Sequence, residues 1–212
     1  MKSEFLFEKG DWIVPGIHVS DLARQYYIPP KWGKCAFPLK IVPLNHKDEK
    51  HIDMLREMFT DPTILKYIPP GLDYAEYVRE IMQNGQDFVN SVKWAIQVVQ
   101  PENTRYVGTC SLHHMGIFER RVRCERGIQI LQAFHRMGIG YTVGGVLAYV
   151  ALTAGFDLLE MSCDRNNTAS ASNLTRQTGG PYQEDERLLH FRFDFRKPTE
   201  KNKKAFILPI PC

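Results

Sequence analysis

One glycine-rich segment, residues 132–141, has the residue types of an anion-binding turn. Gly138 and Gly140 stand immediately before the helix with the clearest apolar period in the chain. Glycines let backbone N–H groups turn towards one point, and the amino terminus of a helix favours negative charge. The segment therefore predicts a site for a phosphate-bearing ligand, and a diphosphate suits it.

The same segment departs from the dinucleotide-binding fingerprint. That fingerprint needs a third glycine where this chain has Val143, and an acidic residue about 20 positions further on. The strands predicted upstream are also mainly antiparallel, which argues against a Rossmann domain. A phosphate-bearing ligand of another kind is therefore expected.

Regular elements are predicted from residue 38 onwards. Residues 39–42, 93–99, 106–112, 122–130 and 158–163 have the patterns of strands. Helices are predicted after Asp48, over 74–82, over 143–154 with Gly155 ending it, and over 168–177. The alternating segment 190–196 is expected to pair with a returning strand at 205–208.

Two segments outside this regular pattern carry separate predictions. Residues 1–37 contain aromatics and prolines without a sustained period, so we expect an irregular arm in front of a domain at 38–212. The arm could cover an acceptor cleft or serve in a homodimer, and both alternatives stay open. The basic run 197–204 is interpreted as a solvated hairpin loop rather than a phosphate-binding patch.

The composition excludes several classes of protein. The 212 residues are 43% hydrophobic and 24% charged, which is typical of one globular domain. A net charge of +3 is too small to predict nucleic-acid binding. No apolar run approaches a membrane span or a secretion signal, and the five cysteines form no Cys-x-x-Cys pair. We expect a cytoplasmic protein without a metal, a nucleic-acid partner or a membrane partner.

The order of elements resembles the GCN5-related N-acetyltransferase (GNAT) family over roughly residues 38–210. Residues 135–140 match both glycines of that family's pyrophosphate motif, Gln/Arg-x-x-Gly-x-Gly/Ala, with His135 in the place of Gln or Arg. The loops 61–67 and 163–170, the latter with Asn167-Thr-Ala-Ser170, look like the branch that acetylates ribosomal-protein amino termini and related small amines. The resemblance implies a mixed α/β fold: a mostly antiparallel twisted sheet of about seven strands flanked by about four helices.

The resemblance also implies an acetyl-CoA-dependent N-acetyltransferase that acts on a primary amine. Ile130 and Leu131 would pair the pantetheine arm like an added strand, and a backbone N–H near Leu131 or Gln132 would polarise the thioester carbonyl. Asn167 would bond the pantetheine, or else cap the helix that follows it. The residues expected around the donor are Ile130, Leu131, Gln132, His135, Arg136, Met137, Gly138, Ile139, Gly140, Tyr141 and Asn167.

Amine acylation needs a base for the amine and a proton for the leaving thiolate. Glu125 is the first candidate base, because it lies on the polar face of the strand that leads to the turn. The alternative is a strand carboxylate paired with Arg123 or Arg126. Three residues are candidates for the acid: Ser170, Ser172 and Tyr182. The alternative for each serine is a helix cap or a loop hydrogen bond, and the alternative for Tyr182 is a packing role.

Other interpretations remain beside this one. Two features depart from the family pattern: the helix ends in Gln177-Thr-Gly-Gly180, and Leu174, or Thr175 with a shift of one residue, stands where an acid tyrosine is common. A catalytically silent acyl-CoA-binding sensor is therefore the alternative function. Cys110 with His113 or His114 could form a nucleophile pair, and the two histidines could bind a metal, but neither pattern shows the partners meeting. The acceptor is not predicted, although Tyr67, Tyr74 and Phe88 could line an aromatic cleft.

Overall fold

The computed structural model describes residues 17, 19–30, 33–67, 91–100, 104–205 and 210–211. The predicted helix over 74–82 and the side chains of Tyr74 and Phe88 lie outside these residues. The helices are α1 (Val19–Leu22), α2 (Glu49–Thr60), α3 (Pro62–Leu65), α4 (Ile139–Thr153), α5 (Thr168–Thr178) and α6 (Glu200–Ala205). The strands are β1 (Tyr26–Ile28), β2 (Leu39–Pro43), β3 (Val92–Val98), β4 (Arg105–Phe118), β5 (Arg121–Ile130), β6 (Leu158–Asp164), β7 (Gln183–Glu184), β8 (Leu188–Asp194) and β9 (Ile210–Pro211).

The strands form one sheet in the order β7-β8-β6-β5-β4-β3-β2-β1-β9. Among these strands, only β5 and β6 run parallel, and their register covers just Arg123–Leu158 to Glu125–Glu160. All other neighbouring strands in the described part of the chain are antiparallel. The predicted mixed α/β fold with a mostly antiparallel sheet is confirmed.

Local signals explain where the helices begin and end. The Asp48 carboxylate accepts the Lys50 N–H and caps α2, and Asp61 caps α3 through the Thr63 N–H. The helix α4 is buried along most of its length and is followed by Gly155 with φ of 93°. Within the described part of the chain, no helix is both long and apolar enough to cross a membrane.

The sheet separates two layers of helices. On one face, α4 packs against β4 and β5, and α5 packs against α4. On the other face, α2 packs against β4. Trp94, Phe191 and Phe193 are fully buried in the core between the sheet and its helices. Alternation along β5 therefore sends even-numbered side chains towards α4 and leaves the odd-numbered ones on the α2 side.

Part of the amino-terminal arm belongs to the sheet, so its prediction as irregular is wrong for residues 19–28. Strand β1 pairs with β2 on one side and with β9 on the other. Ile28 is only 1% exposed, and the indole N–H of Trp94 donates to the Arg24 carbonyl at 3.0 Å. These contacts anchor the arm in the core, which hydrophobic periodicity over three residues cannot reveal.

The carboxy-terminal prediction is also wrong in two respects. Residues 200–205 form helix α6 rather than a hairpin loop, and Ala205 is its last residue rather than the start of a strand. The described partners of the strand β8 are β6 and β7. Residues 206–208 lie outside the described part of the chain. A six-residue helix has too few turns to produce a clear apolar period.

Truncating Ile28 tests whether the arm is part of the folded core. We expect Ile28→Ala to lower the free energy of unfolding by about 2–5 kcal/mol, because a buried side chain leaves a cavity. Arg24→Ala, at an exposed position in the same arm, is the control and should change it by less than ~0.5 kcal/mol. Equal unfolding midpoints in urea for both variants would contradict the burial of β1.

Candidate active site

A groove opens where β5 and β6 separate. Their pairing ends at Glu125 and Glu160, and β5 continues to Ile130 without a further β6 partner among the residues that the structure describes. An unpaired strand edge offers backbone N–H and C=O groups to an extended ligand. The groove therefore suits a linear amide-containing chain of the kind that the sequence predicted beside Ile130.

The groove ends at a turn whose backbone is arranged for an anion. A short 3₁₀ turn (Gln132–Phe134) precedes Arg136 with φ of 62° and Gly138 with φ of 77°. Gly138 is the amino-terminal cap of α4, and no side chain bonds the first N–H groups of that helix. Uncapped N–H groups at a 15-residue helix can receive a diphosphate.

The two glycines of the turn are needed for different reasons. A Cβ on Gly138 would lie 2.3 Å from the Lys34 carbonyl oxygen, and its positive φ also disfavours other residues. A Cβ on Gly140 would make only ordinary contacts, at 3.5 Å, with the Asn173 amide nitrogen and the Ile130 methyl carbon. The protein itself thus requires glycine at 138 but not at 140.

The amino-terminal arm supports the turn from outside. The Lys34 N–H donates to the Thr142 hydroxyl oxygen at 3.1 Å, and the Lys34 ammonium lies 5.2 Å from the centre of the Tyr141 ring. A cation at this place strengthens the attraction of the turn for phosphate. Sequence reasoning missed Lys34, since 108 residues separate it from Thr142 and no local pattern marks the contact.

The backbone N–H groups expected to polarise the thioester carbonyl are already bonded. The Leu131 N–H donates to the Val107 carbonyl at 2.9 Å, and the Gln132 N–H donates to the Asp61 carboxylate at 3.1 Å. That expectation is therefore wrong for both groups. Burial alone would raise the pKa of Asp61, but hydrogen bonds from Thr63 and the Gln132 amide lower it, so the acceptor stays ionised.

The expected donor-binding residues 130–141 form the end of β5, the turn and the start of α4, and their side chains differ in role. The His135 Nε2–H donates to the Ile130 carbonyl at 2.8 Å, which ties the turn to the end of β5. Met137 is 39% exposed beside it. The Asn167 side chain accepts the Ser170 N–H at 3.1 Å and so caps α5, which is the alternative that the sequence left open.

A buried guanidinium holds β5, α4 and α5 together. Arg126 is 6% exposed and donates to the Gly144 carbonyl at 2.7 Å and to the Gln177 side-chain oxygen. The Gln177 amide in turn donates to the Tyr141 carbonyl at 2.8 Å. Burial lowers the pKa of Arg126 to about 9, which leaves the group charged at neutral pH. The network fixes α4 and its turn relative to the groove.

Glu125 lies on the opposite face from Arg126, at the point where the strands part. Its carboxylate oxygen is 3.2 Å from His114 Nδ1 and 3.7 Å from His113 Nε2. The hydrogen bond with His114 lowers the pKa of Glu125 and raises that of His114. Burial lowers the pKa of His113 to about 4, so its imidazole is neutral at pH 7. An ionised carboxylate therefore faces the groove.

The pairing suggested for Glu125 from the sequence is wrong. Arg123 bonds Glu160 at 3.0 Å, and Arg126 points to the other face. The histidines contact Glu125 because the register of β4 and β5 shifts between His113 and Gly116. If the register at the β4–β5 turn continued without a shift, only His114 would lie opposite Glu125. The sequence therefore could not show that both histidines reach this carboxylate.

The three candidate acids occupy different surroundings. The Ser170 hydroxyl bonds the buried Cys163 thiol, and Ser172 is exposed on α5. The Tyr182 hydroxyl donates to the Glu160 carboxylate at 3.1 Å. Because Glu160 also holds Arg123, Tyr182 shares the face of the sheet that carries Glu125. Burial is the main reason that the pKa of Tyr182 is raised.

The alternative nucleophile pair is not brought together. Cys110 is 2% exposed on the face that carries Arg126, and burial raises the pKa of its thiol far above neutrality. His113 lies on the other face, where a Cβ on Gly127 would be 3.3 Å from its ring. A protonated thiol separated from its base by the sheet is not a nucleophile.

A mostly antiparallel sheet, one parallel pair that separates, and an uncapped helix turn at the end of the opening define the class of acyl-CoA-dependent transferases. The family described as "Acetyltransferase (GNAT) domain" matches residues 39–177, and the chain belongs to this family. It is therefore an acyltransferase with acetyl-CoA as its donor. Comparison with curated protein sequences finds no match.

Solved structures with the same fold have distant sequences. Mycobacterium smegmatis RimJ in complex with CoA-disulfide is 13% identical, with a TM-score of 0.59 over 86% of this chain and 93% of that one. Vibrio cholerae spermidine N-acetyltransferase in complex with CoA and spermine is 11% identical, with a TM-score of 0.55 over 75% and 96%. A probable acetyltransferase from Chromobacterium violaceum is 15% identical, with a TM-score of 0.56 over 82% and 91%.

Removing the acceptor of Arg126 tests the network behind the groove. We expect Gln177→Ala to lower the free energy of unfolding by about 3 kcal/mol or more, because a buried cation and the Tyr141 carbonyl both lose a partner. Arg176→Ala, the exposed neighbour on α5, should change it by less than ~0.5 kcal/mol. Similar losses for the two variants in chemical unfolding would show that the network contributes little.

Proposed function

We propose that this protein transfers an acetyl group from acetyl-CoA to a primary amine by direct attack in a ternary complex. The acceptor is either a protein or peptide amino terminus or a small-molecule amine. The observation that carries the proposal is the ionised Glu125 carboxylate at the separation of β5 and β6, beside an open strand edge that leads to the turn. This arrangement supports a donor and a base that meet at one place.

The donor is held from two sides in this proposal. The diphosphate lies against the uncapped N–H groups of α4 between Arg136 and Tyr141, with the Lys34 ammonium nearby. The pantetheine amides pair with the edge of β5 between Arg126 and Ile130, up to the Ile130 carbonyl that His135 bonds. Asn173 joins the expected residues, since its amide nitrogen lies on the open side of Gly140.

Glu125 receives the proton of the attacking amine, directly or through a water molecule. The amine nitrogen forms a bond with the thioester carbon, the C–S bond breaks, and the CoA thiolate takes a proton as it leaves. The hydrogen bond with His114 lowers the pKa of Glu125 and keeps it unprotonated between turnovers. Among the three predicted acids, Tyr182 has the best support, because its hydroxyl is on the same face as Glu125.

The acceptor approaches through a cavity of about 340 Å³ on this face. Arg123, Glu160 and Tyr182 line it, together with Arg192 from β8. A cationic amine is attracted by Glu119 and Glu160 in its lining, while the arginines neutralise part of that charge. The Tyr67 hydroxyl donates to the Asn166 carbonyl at 3.5 Å, away from the lining of this cavity, so its place in an acceptor cleft stays a prediction.

One observation favours the alternative of a silent acyl-CoA-binding protein. Leu174 is 5% exposed and has no proton to give at a position where the family often has tyrosine. Gln177 belongs to the altered end of α5, and its side-chain oxygen already accepts a hydrogen bond from Arg126. Turnover assays separate the two functions, since a sensor binds CoA without acetylating any amine.

Replacing the proposed base gives the first test of this function. With polyamine and peptide amines as acceptors, we expect Glu125→Gln to lower kcat by about 10²- to 10⁴-fold, because glutamine cannot accept the amine proton. The melting-temperature rise produced by acetyl-CoA should stay unchanged. Glu49→Gln, at an exposed carboxylate in the first turn of α2 and outside the cavity, is the matched control and should retain wild-type kcat. Acetyl-CoA binding without turnover in the wild type would establish the silent alternative.

Enlarging Gly140 tests the donor site separately. Because a Cβ on Gly140 would make only ordinary contacts at 3.5 Å, Gly140→Val is expected to fold, and its melting temperature without ligand checks this. Its added methyl groups should weaken acetyl-CoA binding at least about tenfold, or ~1.4 kcal/mol. Gly140→Ala adds one methyl group and should bind nearly as the wild type does. Equal acetyl-CoA titrations for valine and alanine would place the diphosphate elsewhere.

A further inference from the structure

Three metal-ligating side chains converge on the open face of the sheet. One imidazole nitrogen from each of His113 and His114 and one oxygen of Glu125 all lie within 4.8 Å of one another. The Glu125 oxygen is 3.7 Å from His113 Nε2 and 3.2 Å from His114 Nδ1. Tetrahedral zinc with bonds of about 2.0–2.2 Å needs its ligand atoms about 3.4 Å apart. Small rotations of the side chains would bring the three atoms into that geometry.

A β-bulge creates this convergence. Successive side chains of a regular strand point to opposite faces, so adjacent histidines would normally be separated by the sheet. The shift in register between His113 and Gly116 and the positive φ of His114, 48°, turn both imidazoles towards Glu125. The ring centres are 4.7 Å apart. Bulges commonly redirect side chains at functional sites.

The first histidine is also oriented by a neighbour. The Ser111 hydroxyl lies 3.0 Å from His113 Nδ1, which leaves Nε2 to face Glu125. Protein metal sites usually hold the second imidazole nitrogen of a ligand in this way. The guanidinium of Arg123, two residues before Glu125, is bonded by Glu160 at 3.0 Å, which reduces its repulsion of a cation.

We propose that His113, His114 and Glu125 form a binding site for one Zn²⁺ ion, with water as the fourth ligand. Two imidazoles and a carboxylate favour zinc over magnesium or calcium, which prefer oxygen ligands. The His114 and Glu125 side chains are 67% and 36% exposed, so the ion can enter from solvent. Sequence reasoning considered the two histidines but lacked the carboxylate that the fold supplies.

Bound zinc inhibits the enzyme, because a coordinated Glu125 cannot accept the proton of the amine. This consequence rests on the proposed function, whereas binding of the ion does not. The site therefore couples acetylation to the concentration of free zinc.

Isothermal titration of tag-free protein with ZnCl₂, without acetyl-CoA, tests the site itself. We expect one ion per chain with a Kd below about 10 µM, and a loss of at least about tenfold in affinity for both His114→Ala and Glu125→Gln. His46→Ala, outside the cluster, is the matched control and should bind as the wild type does. Because His114 is largely exposed, its alanine variant is expected to fold, and its melting temperature without zinc checks this.

Unchanged zinc affinity in a folded His114→Ala variant, or no zinc binding by the wild type, would overturn the proposal. Inhibition is measured by the mass of the acetylated amine, since zinc also binds free CoA thiol. We expect equimolar zinc to inhibit the wild type, EDTA to restore activity, and His114→Ala to need at least about tenfold more zinc. Site-specific zinc binding without any amine turnover would uphold the metal site and contradict the proposed function instead.

Discussion

The separation of β5 from β6 after a short parallel ladder is the constraint on which the rest of the structure depends. Arg126 is the first residue of β5 beyond that ladder, and its guanidinium is buried against α4 and α5. A buried cation is tolerated only where acceptors meet it. The Gly144 carbonyl and Gln177 satisfy this need, and both helices must therefore lie at fixed positions beside the opening.

Side chains alternate along β5, so the groups of the proposed reaction lie on one face of the sheet and the core residues lie on the other. On one side, Cys124 and Arg126 join a core that is otherwise largely apolar. On the other side, Glu125 and Arg123 lie among titratable groups of β4 and β6, including Glu160. Opposite charges are paired there at distances near 3 Å, and these pairs fix the positions of the side chains in a partly solvated groove. Core packing and the proposed reaction chemistry thus use neighbouring residues without competing.

The amino-terminal arm gives the glycine-rich turn a second reason for its composition. The Lys34 backbone passes so close to Gly138 that a side chain there would collide with it, whatever ligand is bound. Gly140 meets no such obstacle from the protein. Glycine at 138 is therefore explained by folding, whereas at 140 only the proposed diphosphate site calls for glycine. A motif that reads as one binding signal thus combines two separate constraints.

The sequence by itself determined the helices α2, α4 and α5, the middle strands and the glycine-rich turn, because periodicity and capping depend on residues near each other in the chain. Family resemblance then indicated the fold and the donor. Tertiary structure alone decided that β1 joins the sheet, that Asp61 occupies the Gln132 N–H, and that two histidines meet Glu125. These contacts depend on strand register, a bulge and segments distant in sequence, none of which leaves a local pattern.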